Sequence, residues 1–463
     1  MILTGVARVD ITPPIGISHA GWGAALHEKA EGIDMPLYST SLYLKSESTE
    51  EEIIIIDLDL CILTNDLDNQ IRNKITSFFP IKNENIRISV SHTHAGPALG
   101  DGVWLEGGKE YVESYKILLP ELILRSVNDS VKNAIPARIG FKKGDCDINI
   151  NRRPADDKGN FFTGRNWEGV VDREVTVIGF DDIDGKPIAT IVDYACHPTI
   201  LGPENKLISP DYPGHMRFSV EKNVGGLCLF LQGAAGNQGP VHTFLGDVEI
   251  ARKAGKILGL EASKLRIQLD PFKREEKLID IVPSGADLGM YEDVSLGEPS
   301  DVINIRNKKI HLDSLEFPDL IKAEELYKKS LDKLYNARES GDESLVKSIV
   351  SETKRASFIK NLSKISQSGK VELWIQTFRI GDVILQSIPV EPFAETGIQI
   401  KSTNLNGIQI LFSGYSNGSF GYLPIIDAYE EGGYEPNNTP FAAGSAEIVE
   451  RICVEEIKNI TDS

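Results

Sequence analysis

The segment 86–100 has the sequence I-R-I-S-V-S-H-T-H-A-G-P-A-L-G, in which an apolar run ends abruptly in His92-Thr93-His94 and a Gly/Pro loop. Apolar, β-branched residues bounded by such a loop predict a strand. Open α/β sheets bind their ligands at the carboxyl ends of strands. Alternation along a strand predicts that His92 and His94 point to the same side. The segment therefore predicts two imidazoles at one site, although a His-x-His pair alone is equally consistent with structural histidines.

Two further apolar runs end in groups that bind metals. The run I-V-D-Y-A-C-H-P-T (191–199) ends at His197, and I-L-Q-S-I-P-V-E-P (384–392) ends at Glu391. Two imidazoles and one carboxylate form a common ligand set of catalytic zinc. Such a site keeps one position open for a water molecule, whose pKa the metal lowers towards neutrality. The three strand ends together predict a strand-end metal site.

The distribution of apolar residues predicts an α/β fold with a mixed β-sheet core and flanking helices. Strand-like runs alternate with helical segments through the first half of the chain, and strands return after residue 370. The segment 316–368 is rich in Lys and Glu and poor in β-branched residues. We expect it to form a charged helical insertion with a turn at residues 339–342 and a solvated surface. No internal repeat is evident in the sequence.

Composition limits the classes of partner. The chain has 463 residues, a formal net charge of −19 and 41% hydrophobic residues. An acidic protein of this kind is a poor candidate for binding nucleic acid or an anionic membrane. The five cysteines are scattered without a C-x-x-C pair, and no apolar run approaches the roughly 18 residues of a membrane span. We expect a cytoplasmic protein with a small-molecule substrate and no stable membrane association, in an oligomeric state that the sequence leaves open.

Several motifs in order along the chain resemble those of the neutral/alkaline non-lysosomal ceramidase family, in its branch of shorter prokaryotic homologues. They are G-V-A-R-V-D-I-T-P-P (5–14), S-H-T-H-A-G-P (91–97), N-I-N-R-R-P (149–154), C-H-P-T (196–199), I-S-P-D-Y-P-G (208–214), A-G-N-Q-G-P (235–240), I-P-V-E-P (388–392) and G-Y-L-P-I-I-D-A-Y-E-E-G-G-Y-E (421–435). The resemblance implies one zinc hydrolase domain over 1–463, without the C-terminal β-sandwich domain of the longer ceramidases.

The resemblance also implies roles for individual residues. Family members hold zinc (Zn²⁺) through two His, one Glu and one Tyr, and the matching positions are His92, His197, Glu391 and Tyr422. The groups that would hold the scissile carbonyl and its developing oxyanion match His94, Arg152 and Tyr434. Arg152 is chosen over Arg153 because it takes the arginine position of the N-x-N-R pattern. Asp57, Asp59 and Asp211 leave a second metal open.

One position departs from the family pattern. The longer ceramidases have a serine in the A-G-N-x-S-P loop, where this chain has Gly239. Hydrolysis by a metal-activated water needs no serine, so the resemblance still implies cleavage of an N-acyl amide bond. The change argues against ceramide. The acidic composition, and the Lys/Glu helices of 316–368 without a sustained aromatic face, favour a small soluble acylated metabolite, such as an N-acetylated sugar. The alternatives are a hydrolase of an ester or sugar linkage with the same fold, or a non-catalytic relative that binds a ligand.

Overall fold

The computed structural model describes residues 1–19, 22, 24–25, 27–100, 107–271 and 274–461. The strands of this part are β1 (Ile2–Asp10), β2 (Gly32–Ile33), β3 (Tyr38–Ser46), β4 (Glu52–Leu58), β5 (Ile86–Val90), β6 (Ile135–Asp145), β7 (Asn149–Asn151), β8 (Glu174–Asp182), β9 (Pro187–Tyr194), β10 (Leu207–Ile208), β11 (Leu227–Gln232), β12 (Gln238–Pro240), β13 (Arg274–Val282), β14 (Leu288–Ser295), β15 (Ile303–Asp313), β16 (Lys370–Ile380), β17 (Val383–Ser387), β18 (Glu391–Pro392), β19 (Gln409–Ser413) and β20 (Tyr422–Leu423). The α-helices are α1 (Asn65–Thr76), α2 (Lys109–Lys132), α3 (Asp211–Val224), α4 (Val248–Ile267), α5 (Leu320–Ser340), α6 (Glu343–Ile365), α7 (Ala394–Lys401), α8 (Ile426–Glu431) and α9 (Ser445–Thr461).

The chain repeats one topology three times. In each repeat three strands form an antiparallel meander, a helix crosses over, a fourth strand pairs parallel to the third, and a helix follows. The first repeat is β1-β3-β4-α1-β5-α2, the second is β6-β8-β9-α3-β11-α4, and the third is β15-β16-β17-α7-β19-α9. The parallel pair of each repeat places two carboxyl ends side by side, which are the strand ends where ligands bind.

Two sheets and two helical layers enclose the hydrophobic core. The first two repeats form one eight-stranded mixed sheet, in the order β11-β9-β8-β6-β1-β3-β4-β5, and the third forms a four-stranded sheet. Alternate side chains of each strand enter different layers, as the twofold period of a strand requires. On β4, for example, Ile55 belongs to the cluster between the two sheets that also contains Leu385, whereas Ile54 belongs to the cluster under α1 and α2. Helices α7 and α9 cover the outer face of the smaller sheet.

The edges of the large sheet curl towards each other. Strands β11 and β5 stand at opposite ends of the strand order, yet they lie beside each other in space. The backbone N–H of Phe230 in β11 donates to Asp57 Oδ2 of β4 at 2.9 Å. Arg217 of α3 ties the same region together through ion pairs to Asp57 at 3.1 Å and to Asp59 at 2.5 Å. This closure brings the carboxyl ends of β5 and β9 to a common site.

The charged segment 316–368 contains the helical hairpin α5–α6. Asp342 caps α6 by accepting hydrogen bonds from the N–H groups of Ser344 and Leu345, and Gly341 provides the left-handed turn residue between the helices (φ +71°). Before this insertion, β13 and β14 form a hairpin in which every described residue is exposed. Among the residues that the structure describes, every helix is too short or too polar to cross a lipid bilayer.

These elements confirm the predicted mixed α/β fold with flanking helices and a helical insertion. The sequence shows no internal repeat, but the topology has one. The three repeats share the order and pairing of their helices and strands, but equivalent positions carry different residues.

Candidate metal centre and its surroundings

His92 reaches the site through an unusual backbone conformation. Strand β5 ends at Val90, and His92 has a φ of +66°, in the left-handed region that residues with a side chain seldom adopt. The N–H of His92 donates to the carbonyl of Leu60 at 2.9 Å, which holds this conformation. Strand alternation, from which the sequence predicts their common orientation, therefore does not extend to His92 and His94, because β5 ends at Val90. The two rings still lie 4.8 Å apart, at an angle of 84°.

Backbone carbonyl groups fix the tautomers of both predicted histidine ligands. Nδ1 of His92 lies 2.6 Å from the carbonyl oxygen of Cys61, and Nδ1 of His197 lies 2.6 Å from that of Ala235. A carbonyl oxygen accepts only, so each Nδ1 carries the proton and each Nε2 presents a lone pair. Burial lowers the pKa of His92 to about 4 and that of His197 well below its usual value. Both rings are therefore neutral at pH 7, the form that binds metals.

Glu391 completes a group of three lone-pair donors. Its Oε2 lies 3.5 Å from His92 Nε2 and 3.3 Å from His197 Nε2. Neither Glu391 Oε2 nor His197 Nε2 has a hydrogen-bond partner among the described residues. His197 Nε2 and Glu391 Oε2 are thus two acceptors that face each other without a proton between them, and a cation bound between them and His92 Nε2 would remove their repulsion. The donor set and its spacing fit a zinc ion, since two imidazoles and a carboxylate are frequent zinc ligands.

A second group of candidate ligands is less suitable. Cys61, His92 and His94 also approach one another closely enough to hold an ion. Burial raises the pKa of the Cys61 thiol, and Glu391 raises it further, so the thiolate form that binds metals is disfavoured. Without a metal, the neutral form of His94 can donate from Nε2 to His92 Nε2 at 3.2 Å, and a cation bound at His92 Nε2 would replace this hydrogen bond. The group with Glu391 is therefore the better metal site of the two.

Tyr422 lies beside this cluster because of strand pairing. Strands β18 and β20 are parallel, with Glu391 opposite Tyr422. The Tyr422 ring stacks on His197 at a centroid distance of 6.4 Å, and its hydroxyl accepts a hydrogen bond from Arg152 Nη2 at 3.1 Å. Burial raises the pKa of Tyr422, and the Arg152 charge opposes this rise. The structure thus places Tyr422 next to the predicted ligands with a cation on its oxygen.

Arg152 is held in place by a buried carboxylate that the sequence analysis did not single out. Glu435 accepts from Arg152 Nε at 2.9 Å and from Arg153 Nη1 at 2.6 Å. The two guanidinium groups keep the pKa of Glu435 below its usual value. Arg153 is turned away from the site by a further bond to Glu431 at 3.0 Å. Of the two arginines, Arg152 is the one whose guanidinium contacts the predicted ligand Tyr422.

The two remaining predicted site residues lie on either side of the cluster. His94 is half-buried, and its ring lies 5.0 Å from that of Trp22. Tyr434 is partly exposed, and its ring lies 5.7 Å from the Tyr422 ring. All seven predicted residues therefore lie in one region of the molecule, and the His94 ring has a direct polar contact with His92.

The loop 235–240 approaches the site with two glycines in different surroundings. A Cβ atom at Gly236 would lie 2.5 Å from the carbonyl oxygen of Glu391, so only glycine fits there without movement. A Cβ atom at Gly239 would lie 3.5 Å from Arg152 Cβ, which is an ordinary contact. The position at which the family has a serine is therefore next to Arg152 and has room for a small side chain.

The acidic residues considered for a second metal have other partners. Asp57 and Asp59 pair with Arg217. The two oxygens of Asp211 accept backbone N–H groups from Leu201 at 2.9 Å and Tyr212 at 2.6 Å. These bonds are typical of structural carboxylates.

Sequence reasoning also missed Tyr415. Its ring packs on His92 at a centroid distance of 4.6 Å, and none of the motifs quoted above includes it.

Comparison with known proteins places these residues in a family context. The family model for neutral/alkaline non-lysosomal ceramidase, N-terminal, matches residues 2–237. A neutral ceramidase of Oryza sativa subsp. japonica is 28% identical over 218 residues, which make up 46% of this chain and 28% of that protein. A neutral ceramidase of Pseudomonas aeruginosa is 23% identical over 256 residues, 51% of this chain and 36% of that protein. The chain thus spans about a third of the length of these curated relatives.

A solved structure extends the similarity of fold to nearly the whole chain. The crystal structure of neutral ceramidase from Pseudomonas aeruginosa superimposes with a TM-score of 0.68 at 18% sequence identity, covering 98% of this chain and 73% of that chain. A structure described as ceramidase complexed with C2 gives a TM-score of 0.69 with similar coverage. At this level of identity the match establishes the fold.

Proposed function

Because the chain belongs to the neutral/alkaline non-lysosomal ceramidase family, we propose that it is a zinc-dependent hydrolase of N-acyl amide bonds. The observation that carries the proposal is the cluster of His92, His197 and Glu391, in which His197 Nε2 and Glu391 Oε2 have no hydrogen-bond partner among the described residues. Tyr422 is the proposed fourth ligand, as the family resemblance implies. Elements from the first, second and third repeats contribute to this cluster, so we propose that residues 1–463 act as one catalytic domain.

A zinc ion held there would lower the pKa of a bound water molecule and polarise the scissile carbonyl group. The protein's own groups then have distinct tasks. Arg152, fixed by Glu435, keeps a positive charge at the Tyr422 oxygen and faces the region where negative charge develops. His94 and Tyr434 are the proposed donors to the substrate carbonyl. His94 is neutral because burial lowers its pKa, so it donates from one ring nitrogen only.

The substrate that we propose is a small soluble acylated metabolite, such as an N-acetylated sugar, and the proposed location is the cytoplasm. Gly239 supports a substrate other than ceramide, because the hydroxyl that the longer relatives place at this position is missing beside Arg152. A hydrolase of an ester or a sugar linkage is the alternative, since one fold and metal centre can serve several bonds.

A substrate panel with zinc-loaded protein tests this proposal. N-acetyl sugars, N-acyl amino acids, short-chain ceramides and aryl esters are each assayed for release of amine or alcohol. We expect amide cleavage that rises little with acyl length, and a loss of at least about 1,000-fold in kcat/KM for Glu391→Gln, whose amide is a poor zinc ligand. Ester cleavage without amide cleavage would favour the alternative. If the zinc-loaded protein cleaved none of these substrates, the proposal that it is a hydrolase would be contradicted.

A further inference from the structure

The threefold repeat makes Tyr415 the counterpart of His92. The parallel strand pairs of the first and third repeats end with Leu58 opposite Val90 and with Ser387 opposite Ser413. His92 and Tyr415 each lie two residues beyond the end of the fourth strand of their repeat. Both adopt the left-handed conformation, with φ values of +66° and +53°. The Tyr415 side chain therefore reaches the site in the same way as the proposed ligand His92, from a left-handed residue two positions after a parallel strand.

The backbone around Tyr415 is tied to both of the strand ends that carry proposed ligands. Its N–H donates to the carbonyl of Val390, the residue before Glu391, at 3.0 Å. Its carbonyl accepts from the N–H of Val90, two residues before His92, at 3.1 Å. A non-glycine residue at positive φ is costly and persists where surrounding bonds enforce it. These two bonds enforce it here.

The hydroxyl group of Tyr415 has no hydrogen-bond partner among the described residues, although the side chain is 4% exposed. An unpaired buried hydroxyl is unfavourable, and tyrosine hydroxyls usually find a partner when they are buried. The ring lies 4.6 Å from that of His92 and 5.9 Å from that of His197, between centroids. Tyr415 also lines one small cavity together with His92 and Glu391. Two other orphaned atoms, His197 Nε2 and Glu391 Oε2, belong to the same cluster.

We infer that Tyr415 is a further residue of the metal centre, as a positioning residue whose hydroxyl donates a hydrogen bond to an oxygen held among His92, His197 and Glu391. This inference rests on the metal centre proposed above. Such an oxygen would be present only with a cation and a water molecule in that space, which accounts for the lack of a partner for the hydroxyl among the described residues. Tyr415 then differs from Tyr422, whose oxygen already accepts from Arg152.

The test compares Tyr415→Phe with wild type in the metal-free and zinc-loaded states. Zinc dissociation constants are measured by competition with a chromophoric chelator, and thermal midpoints are measured in both states. We expect Tyr415→Phe to weaken zinc binding about 10- to 100-fold, the usual effect of removing a hydrogen bond around a metal centre. We also expect a higher thermal midpoint for the metal-free variant, because an unpaired hydroxyl is removed.

Tyr194→Phe is the matched control, because the Tyr194 hydroxyl donates to the carbonyl of Cys146 at 2.9 Å, outside the cluster. It should lower the thermal midpoint in both states and leave zinc affinity unchanged. Zinc affinity of Tyr415→Phe within twofold of wild type would overturn the inference about Tyr415 alone. A wild-type protein that takes up no zinc would overturn the proposed metal centre and this inference with it.

Discussion

Replacing Gly236 by alanine should displace Glu391 and thereby weaken the metal centre. The added Cβ atom would lie 2.5 Å from the Glu391 carbonyl oxygen and 2.8 Å from that of Pro392. An ordinary contact between carbon and oxygen is about 3.3 Å or more, so one backbone must move by about 0.8 Å. The Gly236 N–H also donates to the Pro392 carbonyl at 2.7 Å, so the two segments cannot separate without loss of that bond.

The expected magnitude follows from this displacement. Inserting a methyl group into a close-packed region costs about 1–3 kcal/mol of unfolding free energy. A shift approaching 1 Å in a positioned group lowers the rate about 100-fold. Urea unfolding of the metal-free protein, chelator competition for zinc and kcat/KM for the best substrate of the panel measure the three effects.

Gly239→Ala is the matched control in the same loop. Its Cβ atom would meet Arg152 Cβ at 3.5 Å, so we expect the free energy of unfolding to stay within about 0.5 kcal/mol of wild type. Zinc affinity should not change. Equal behaviour of the two alanine variants, or wild-type zinc binding by Gly236→Ala, would refute the proposed link between this loop and Glu391.

Three further predictions use other features of the site. The metal-free protein should lose stability as the pH falls from 6.5 towards 4, because unfolded histidines are protonated in this range while folded His92, with its pKa of about 4, is not. In urea unfolding, His92→Gln should therefore flatten the pH dependence of the midpoint. An unchanged slope would refute this role of His92. Glu435→Gln should cost about 3–5 kcal/mol of unfolding free energy, because two buried arginines lose their charge partner. The control Glu430→Gln, on the surface, should have little effect. Equal costs for the two variants would contradict the role given to Glu435. A fragment of residues 1–270 should bind zinc more weakly than the full chain, because Glu391 is absent. A zinc titration in which the fragment binds as tightly as the full chain would exclude the proposed single domain.

The sequence predicts the fold class well because the relevant signals are local. The run Ile53–Ile56 supplies side chains to both faces of a covered strand, and the Lys/Glu pattern of 316–368 has the period of exposed helices. The threefold repeat escapes detection because it resides in strand pairing and crossover order. Equivalent positions such as His92 and Tyr415 carry different side chains.

The site is less predictable, for physical reasons that differ between residues. His92, His197 and Glu391 follow apolar runs, so their approach to one site can be expected from strand ends alone. The left-handed turn at His92 depends on a bond to Leu60, which lies far from it in sequence. Glu435 shows its importance only when the fold pairs it with both arginines. Tyr422 is an unusual zinc ligand, and only the family resemblance points to it.

The central claim is that His92, His197 and Glu391 hold one zinc ion. Anomalous diffraction at the zinc absorption edge, from crystals of zinc-loaded protein, tests this claim most directly. We expect one strong peak about 2.0–2.2 Å from His92 Nε2, His197 Nε2 and a Glu391 carboxylate oxygen. We also expect no peak at that position for His197→Ala grown under the same conditions. The claim would be contradicted if wild-type crystals showed no peak at that position and the metal-free protein were fully active.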